Sequence, residues 1–276
     1  MTEQAERYDR IAVGYERWWA PVLAPSALAL LDRLDPLVAA GAQDLLDVGI
    51  GTGNLSLVAL RRWPTIAVTG IDASREMLAS AERLAGARLD PAERARLTTR
   101  SAFAAELPFE DDSFDLAMSS FVLQLVPDRP AALREIARVL RPGGTLGHVT
   151  WLVGRTDFEP DRIFEDLLAE YGFEDEVGDE RDGDIPSVEA AVAELDAAGF
   201  EAIIAEPGTL EHPFTADSYL HFLTEFDEAS LFDEEMTRTE RRRFVAQLRD
   251  ALMRLPADKL VFRSPIVFAS ARRVAR

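Results

Sequence analysis

The stretch Asp44-Leu45-Leu46-Asp47-Val48-Gly49-Ile50-Gly51-Thr52-Gly53-Asn54-Leu55 decides the fold. Leu45, Leu46 and Val48 form a short apolar run, as a strand buried on both faces of a parallel sheet does. Glycines then occupy positions 49, 51 and 53, and Leu55, Leu57, Val58, Ala59 and Leu60 open a helical stretch. A strand that breaks into glycines and restarts as a helix gathers backbone N–H groups and a helix N-terminus at the strand's carboxyl end. Glycine lets the chain turn sharply there and lets a ligand approach without a Cβ in the way. Open α/β sheets bind ligands at that edge.

The ligand class follows from what surrounds the loop. A nicotinamide fingerprint needs a third glycine at the start of the helix, and Asn54 stands in that place. A nicotinamide oxidoreductase is therefore the third-ranked reading. Asp47 precedes the loop, and Asp72 ends the next apolar run, Ile66-Ala67-Val68-Thr69-Gly70-Ile71. A carboxylate is an acceptor-only group, suited at the end of a second strand to both hydroxyls of a ribose. Loop and acid together imply an adenosine-type ligand.

Composition narrows the partners. The chain has 276 residues, 47% of them apolar, and a formal charge of −19. An acidic surface repels phosphate backbones, so nucleic acid is not an expected partner. No apolar run approaches a membrane span, and Thr2-Glu3-Gln4-Ala5-Glu6-Arg7 is not a signal peptide. No membrane insertion is expected, and cytoplasm is the expected compartment. There is no cysteine, hence no disulfide, thiolate metal site or cysteine nucleophile. No metal site is expected. Oligomeric state stays open.

Along the chain, Tyr8, Ile11, Ala12, Tyr15, Trp18 and Trp19 recur at helical spacing, and Pro21 and Pro25 are expected to break that pattern. Ser26 is expected to cap a second helix ended by Asp35-Pro36. Strands are expected over 44–49, 66–72, 96–101, 114–120 and 145–152, with helices over 54–62, 75–85 and 130–140 and a charged connection over 88–95. A helix over 187–199 leads to a sixth strand over 200–205. The last strand, 260–271, is expected to be antiparallel, with Pro265 bending it. The acids Glu174, Asp175, Glu176, Asp179, Glu180, Asp182 and Asp184 are expected to form a solvated loop. The fold class is α/β: a Rossmann-like, seven-stranded, mostly parallel sheet with helices on both faces and an antiparallel last strand. An N-terminal helical lid over 1–35 and a helical insertion over 213–258 flank a core of 36–212 and 259–276.

Four stretches, in order, resemble the class I S-adenosylmethionine-dependent methyltransferases. They are the glycine loop, Ile71-Asp72-Ala73-Ser74-Arg75-Glu76-Met77-Leu78, Leu107-Pro108-Phe109-Glu110-Asp111-Asp112-Ser113-Phe114-Asp115, and Ala132-Leu133-Arg134-Glu135-Ile136-Ala137-Arg138-Val139-Leu140-Arg141-Pro142-Gly143-Gly144. The similar branch includes the ubiquinone- and menaquinone-biosynthesis methyltransferases, which does not fix a substrate. The resemblance implies S-adenosyl-L-methionine as cofactor, S-adenosyl-L-homocysteine as product and a small-molecule methyl acceptor. The cofactor contacts it implies are Tyr15, Asp47, Gly49, Gly51, Gly53, Asn54, Asp72, Ala73, Met77, Ala102, Ser119 and Ser120. The family's adenine-binding acid is missing here: its place falls on Phe103, or on Ser101 if two residues are inserted.

Methyl transfer from a sulfonium is an in-line displacement on an already activated carbon, so alignment and water exclusion matter more than a catalytic triad. An oxygen acceptor needs a base. Of the three histidines, His148 lies inside a strand, whereas His212 and His221 are the candidate bases. Gln124 stands where similar enzymes often carry histidine. Trp18, Trp19, Gln124, Trp151 and Tyr219 are the candidate walls of the acceptor pocket. The rival reading is a non-catalytic module that binds the nucleoside cofactor and uses the insertion for protein contacts.

Overall fold

In the computed structural model, which describes residues 3–154, 156–173, 183–227, 229 and 231–275, the apolar run of the glycine motif is β1 (Asp44–Val48). Leu45, Leu46 and Val48 have no exposed surface, because β1 is hydrogen-bonded on both sides. It pairs in parallel with β2 (Ala67–Asp72) and with β4 (Phe114–Ser120). β3 (Leu97–Ser101) forms one edge beside β2. β5 (Leu140–Trp151) extends the sheet beyond β4, and β7 (Val261–Arg273) runs antiparallel to it. β6 (Phe200–Pro213) closes the far edge, giving the order β3-β2-β1-β4-β5-β7-β6. The strand order reverses between β1 and β4, and a crevice opens there at the carboxyl ends.

Helices cover both faces, as the alternating pattern requires. α1 (Glu3–Gly14) runs into a π-helical turn, Tyr15–Trp19, and then into α2 (Ala20–Ala39). α2 corrects an expectation: Pro25 and Pro36 lie inside one continuous helix, and Ser26 is buried on its inner face rather than capping a new helix. A proline inside a helix costs about 3 kcal/mol. The burial of Val22, Leu23, Leu30, Leu31 and Leu34, each at most 5% exposed, offsets it at roughly 1.5–3 kcal/mol per side chain. α3 (Asn54–Arg62) follows the glycine loop, and α4 (Arg75–Arg88) starts at Ser74, whose hydroxyl accepts the Met77 N–H at 3.1 Å. The charged connection over 88–95 contains a short helix, α5 (Pro91–Arg94), held by an Asp90–Glu93 capping box. α6 (Arg129–Val139) is capped by Asp128, and α8 (Val188–Ala197) by Ser187.

α7 (Glu159–Tyr171) was not expected from the sequence; it buries Phe164 and Leu168. The strands at the end of the chain also run longer than expected, β6 reaching Pro213 and β7 reaching Arg273. The insertion holds α9 (Ala216–Phe222), the π-helical turns Leu223–Asp227 and Leu231–Glu235, and α10 (Arg238–Leu252). Residues 174–182 of the acid-rich stretch lie outside the described residues. Among the described residues, no helix is long and apolar enough to cross a membrane.

Candidate functional site

The three loop glycines are there for three different reasons. Gly49 has φ +76°, and a Cβ on it would stand 2.4 Å from a Val122 methyl. Gly53 has φ +84° and begins α3, with Ala81 of α4 only 3.2 Å from where its Cβ would be. Gly51 has φ +55°, yet a Cβ there would meet nothing within 4 Å. The first and last glycines serve packing, and the middle one faces open space, as a ligand cradle requires.

Two acids flank the loop. The Asp72 carboxylate accepts the Gly51 N–H on Oδ2 and the Ser74 N–H on Oδ1, each at 2.9 Å. A carboxylate offers about four acceptor positions, so Asp72 keeps acceptor capacity beyond its backbone partners. Burial pushes the Asp72 pKa up, against the lowering effect of those N–H donors. Asp47 is 2% exposed and accepts the Ser56 hydroxyl at 2.5 Å. Burial pushes it up to about 7, with Ser56 opposing and the charge of Asp72 adding to the shift. Burial also pushes the Tyr15 phenol up, with Tyr8 and Asp72 contributing.

Loop, acids and lid enclose a cavity of about 360 Å³. Of the cofactor contacts expected from sequence, Tyr15, Asp47, Gly49, Gly51, Asn54, Asp72, Ala73, Met77, Ala102, Phe103 and Ser120 line it. Gly53, Ser101 and Ser119 are not among the lining residues. Gly53 packs on Ala81, Ser101 is exposed on the edge strand, and the buried Ser119 hydroxyl donates to the Val48 carbonyl at 3.0 Å. Of the two residues offered for the missing acid's place, Phe103 lines the cavity and Ser101 does not.

The expected acceptor walls and bases lie elsewhere. Gln124 accepts the Thr150 hydroxyl at 2.7 Å. Trp19 packs on Phe222 and Trp151 at 5.6 and 6.3 Å, and Trp151 backs the cavity-lining Phe121 at 4.5 Å between ring centroids. Tyr219, 1% exposed, donates to Asp161, whose burial pushes it up to about 6. His212 packs its ring 4.6 Å from Phe214, and the exposed His221 stacks on Trp18 at 5.7 Å with Nδ1 3.0 Å from Glu225. None of these seven residues (Trp18, Trp19, Gln124, Trp151, Tyr219, His212, His221) lines the cavity. His148 is buried within β5, and burial beside Arg129 pushes it down to about 4.

The apolar wall of the cavity is built by Ala20, Leu23, Ala24 and Ala27 of α2 and by Phe121, Val122, Leu125 and Val126 after β4. The alanines at positions 20, 24 and 27 share one helical face with Leu23, Leu30, Leu31 and Leu34, a signal the sequence carried and the proline argument obscured. Phe121 holds φ +56°, a conformation that costs a bulky residue about 1–3 kcal/mol and clusters at ligand sites.

The fold and the loop geometry have direct relatives. Residues 46–147 match the family described as "Methyltransferase domain". That match runs from β1 to β5, the part of the sheet that carries the glycine loop. The chain is similar to the ubiquinone/menaquinone biosynthesis C-methyltransferase UbiE of Paracoccus denitrificans, 39% identical over 146 residues, 51% of this chain and 53% of that one. It is also similar to the malonyl-[acyl-carrier protein] O-methyltransferase of Halorhodospira halophila, 36% identical over 147 residues, 53% of this chain and 45% of that one. The chain spans about half the length of the curated relatives it matches. In fold it resembles a phosphoethanolamine N-methyltransferase of Haemonchus contortus, with a TM-score of 0.59 and 21% identity over 99% of this chain and 61% of that one.

Proposed function

We propose that the chain is a methyltransferase that binds S-adenosyl-L-methionine and passes its methyl group to a small organic acceptor. One observation carries this reading: a single cavity runs from the glycine loop and Asp72 to an apolar wall, under the α1–α2 roof. When bound, the cofactor supplies a methyl carbon already activated by a sulfonium. Its fit rests on the open space at Gly51 and on two buried acids that complement its cationic groups. Asp72 orients the ribose with its free lone pairs, the loop amides and Tyr15 hold the amino-acid end, and the roof excludes water.

The acceptor is uncharged or cationic, and largely apolar. Among the described residues, none that lines the cavity is lysine, arginine or histidine, whereas Asp47, Asp72 and Asp128 do line it. An anionic acceptor would meet no cationic side chain in that wall, only the positive charge of the cofactor itself. The acceptor atom, an amine or an activated carbon, reacts without a histidine base. The absence of a lining histidine also favours a second reading, a cofactor-binding module without turnover.

Calorimetric titration with S-adenosylmethionine, S-adenosylhomocysteine and NAD tests the first reading. Micromolar binding of the first two and none of NAD is expected; binding of NAD alone overturns it. Conversion of bound S-adenosylmethionine to S-adenosylhomocysteine in the presence of a panel of apolar amines separates an enzyme from a module.

A further inference from the structure

We infer that the outer rim of α7 and α10 pairs with the same rim of a second copy of this chain, making a two-fold dimer. The inference does not depend on what the cavity binds. The two helices meet along a seam. Phe164 and Tyr171 of α7 pack on Phe244 of α10, 5.8 and 5.3 Å between ring centroids. The Tyr171 hydroxyl donates to the Gln247 side-chain oxygen at the surface, which marks the outer edge of that seam.

Helix geometry fixes what flanks that edge. Around α7, the buried Phe164 and Leu168 lie about 20° and 60° to one side of Tyr171. Leu167, Ile163, Glu170 and Asp166 lie about 40°, 80°, 100° and 140° to the other side. Around α10, the buried Phe244 and Leu248 lie about 60° and 100° to one side of Gln247, and Arg243 and Arg242 about 40° and 140° to the other. On both helices the core is on one side of the Tyr171–Gln247 bond and the charges are on the outer side. Asp166, Glu170, Arg242 and Arg243 are exposed, and Ile163 and Leu167 are half-buried between the acids and the seam. The rim therefore carries an acidic strip, a basic strip and a small apolar floor.

The four charges lack partners in a chain well supplied with them. It holds 49 acids against 30 lysines and arginines, and the neighbours of these four are paired: Arg162 with Glu159, Arg241 with Asp233, Arg249 with Asp217. Among the described residues, Arg242, Arg243, Asp166 and Glu170 make no ion pair. Two strips of opposite sign side by side are self-complementary under a two-fold axis. A partner of one sign would be repelled by half of the rim. A second copy turned through half a circle sets each strip on its opposite and the two apolar floors on each other.

The footprint sets the strength. Each helix is about 20 Å long and about 10 Å wide, so the rim presents about 400 Å². One partner in a stable interface gives about 800 Å². The dimer is therefore weak and reversible.

The test is sedimentation equilibrium of the full chain in about 0.15 M salt, where a Debye length of about 8 Å leaves only close charges in play. Wild type should dimerise with a dissociation constant on the order of 100 μM. Arg242→Glu with Arg243→Glu should weaken dimerisation at least about tenfold. Asp166→Arg with Glu170→Arg should do the same, although that variant carries less net charge and repels itself less overall. The neutral pair Arg242→Gln with Arg243→Gln should weaken it less than the reversal does. An equimolar mixture of the two reversed variants should recover dimer to within about threefold of wild type, because each reversed strip then meets its opposite. Recovery also shows that both variants fold. A wild type that stays monomeric at about 1 mM overturns the inference. Undiminished association in either reversed variant places the interface elsewhere, and a mixture that associates no better than its components removes the pairing of the strips.

Discussion

Asp72 and Gly51 are bonded to each other: the carboxylate at the end of β2 accepts the backbone N–H in the middle of the loop after β1 at 2.9 Å. The side chain proposed to orient the ribose is thus also the tie that holds the middle of the glycine loop. Asp72→Ala should lose about 1.5–3 kcal/mol of cofactor affinity, the range for hydrogen bonds to a charged group, plus the cost of a freed loop. Asp72→Asn, which keeps an acceptor oxygen for one of its two N–H partners, should lose less. Equal losses from the two variants, by calorimetry, would remove the loop-tying role.

The glycines separate folding from binding. Gly49→Ala places a methyl in the space of Val122 at a positive φ, so overpacking of about 1–3 kcal/mol adds to backbone strain of about 1–2 kcal/mol. It should lower the melting temperature by several degrees. Gly51→Ala carries the backbone strain alone and points its methyl into open space. It should melt closer to wild type while binding S-adenosylhomocysteine at least tenfold more weakly. Thermal melts and titrations on the two variants check both halves, and a Gly51→Ala protein with wild-type affinity would place the ligand elsewhere.

Asp47 makes the unliganded protein pH-sensitive. Its folded pKa of about 7 lies above the unfolded value of 3.8, so the folded state holds a proton that the unfolded state has released. Stability contributed by that proton is present at low pH and is lost as pH rises through about 7. The buried His148 acts in the opposite sense, but only between its folded value of about 4 and the ordinary 6.5. Between pH 6.5 and 8 the melting temperature of the free protein should therefore fall, and Asp47→Asn should flatten that fall. A cationic ligand favours the ionised carboxylate, so S-adenosylmethionine should bind more tightly across the same interval. An unchanged pH slope in Asp47→Asn would sink the assignment.

The N-terminal part of the roof is tied to α4 at two points, Asp9 on Ser74 and Glu76 and Glu16 on Arg83. Asp9 carries the link to Ser74 and Glu76, and hydrogen bonds from both keep its pKa low, the Ser74 hydroxyl first. Segments with few anchors gain order when a ligand completes their contacts. Amide exchange in residues 5–20 should slow on binding S-adenosylhomocysteine, while α8 changes little. Asp9→Ala should speed exchange in the roof without ligand and leave α8 as it was. Exchange in residues 5–20 as slow without ligand as in β1 and β4 would make the roof ordinary core.

The sheet was legible because β1, β2 and β4 are apolar runs bounded by glycines, acids and caps, local signals that tertiary packing reinforced. Ser74, read as a cap, is one. α2 was misread because the penalty of a proline is local, whereas the burial that outweighs it depends on partners distant in sequence. α7 was missed because its inward residues touch α10, which comes some seventy residues later. In the candidate site, the loop residues Gly49 and Gly51 and the acid Asp72, all picked out by local sequence, line one cavity. Which way Trp19, His221 or Gln124 faces was not legible, because it is fixed by packing and not by residue type, and none of the three lines the cavity. His221 faces Trp18 and Glu225, a choice that no spacing records.

The π-helical turn Tyr15–Trp19 rests on the second π-helical turn, Leu223–Asp227. A Cβ on Gly14 would stand 2.9 Å from the Phe226 ring, Tyr15 meets that ring at 6.4 Å, and Arg17 pairs with Glu225 at 3.1 Å. The insertion therefore touches the joint between α1 and α2 without lining the cavity. The residues that brace the alanine-bearing helix α2 from that side are separate in sequence and in space from the glycine loop and Asp72.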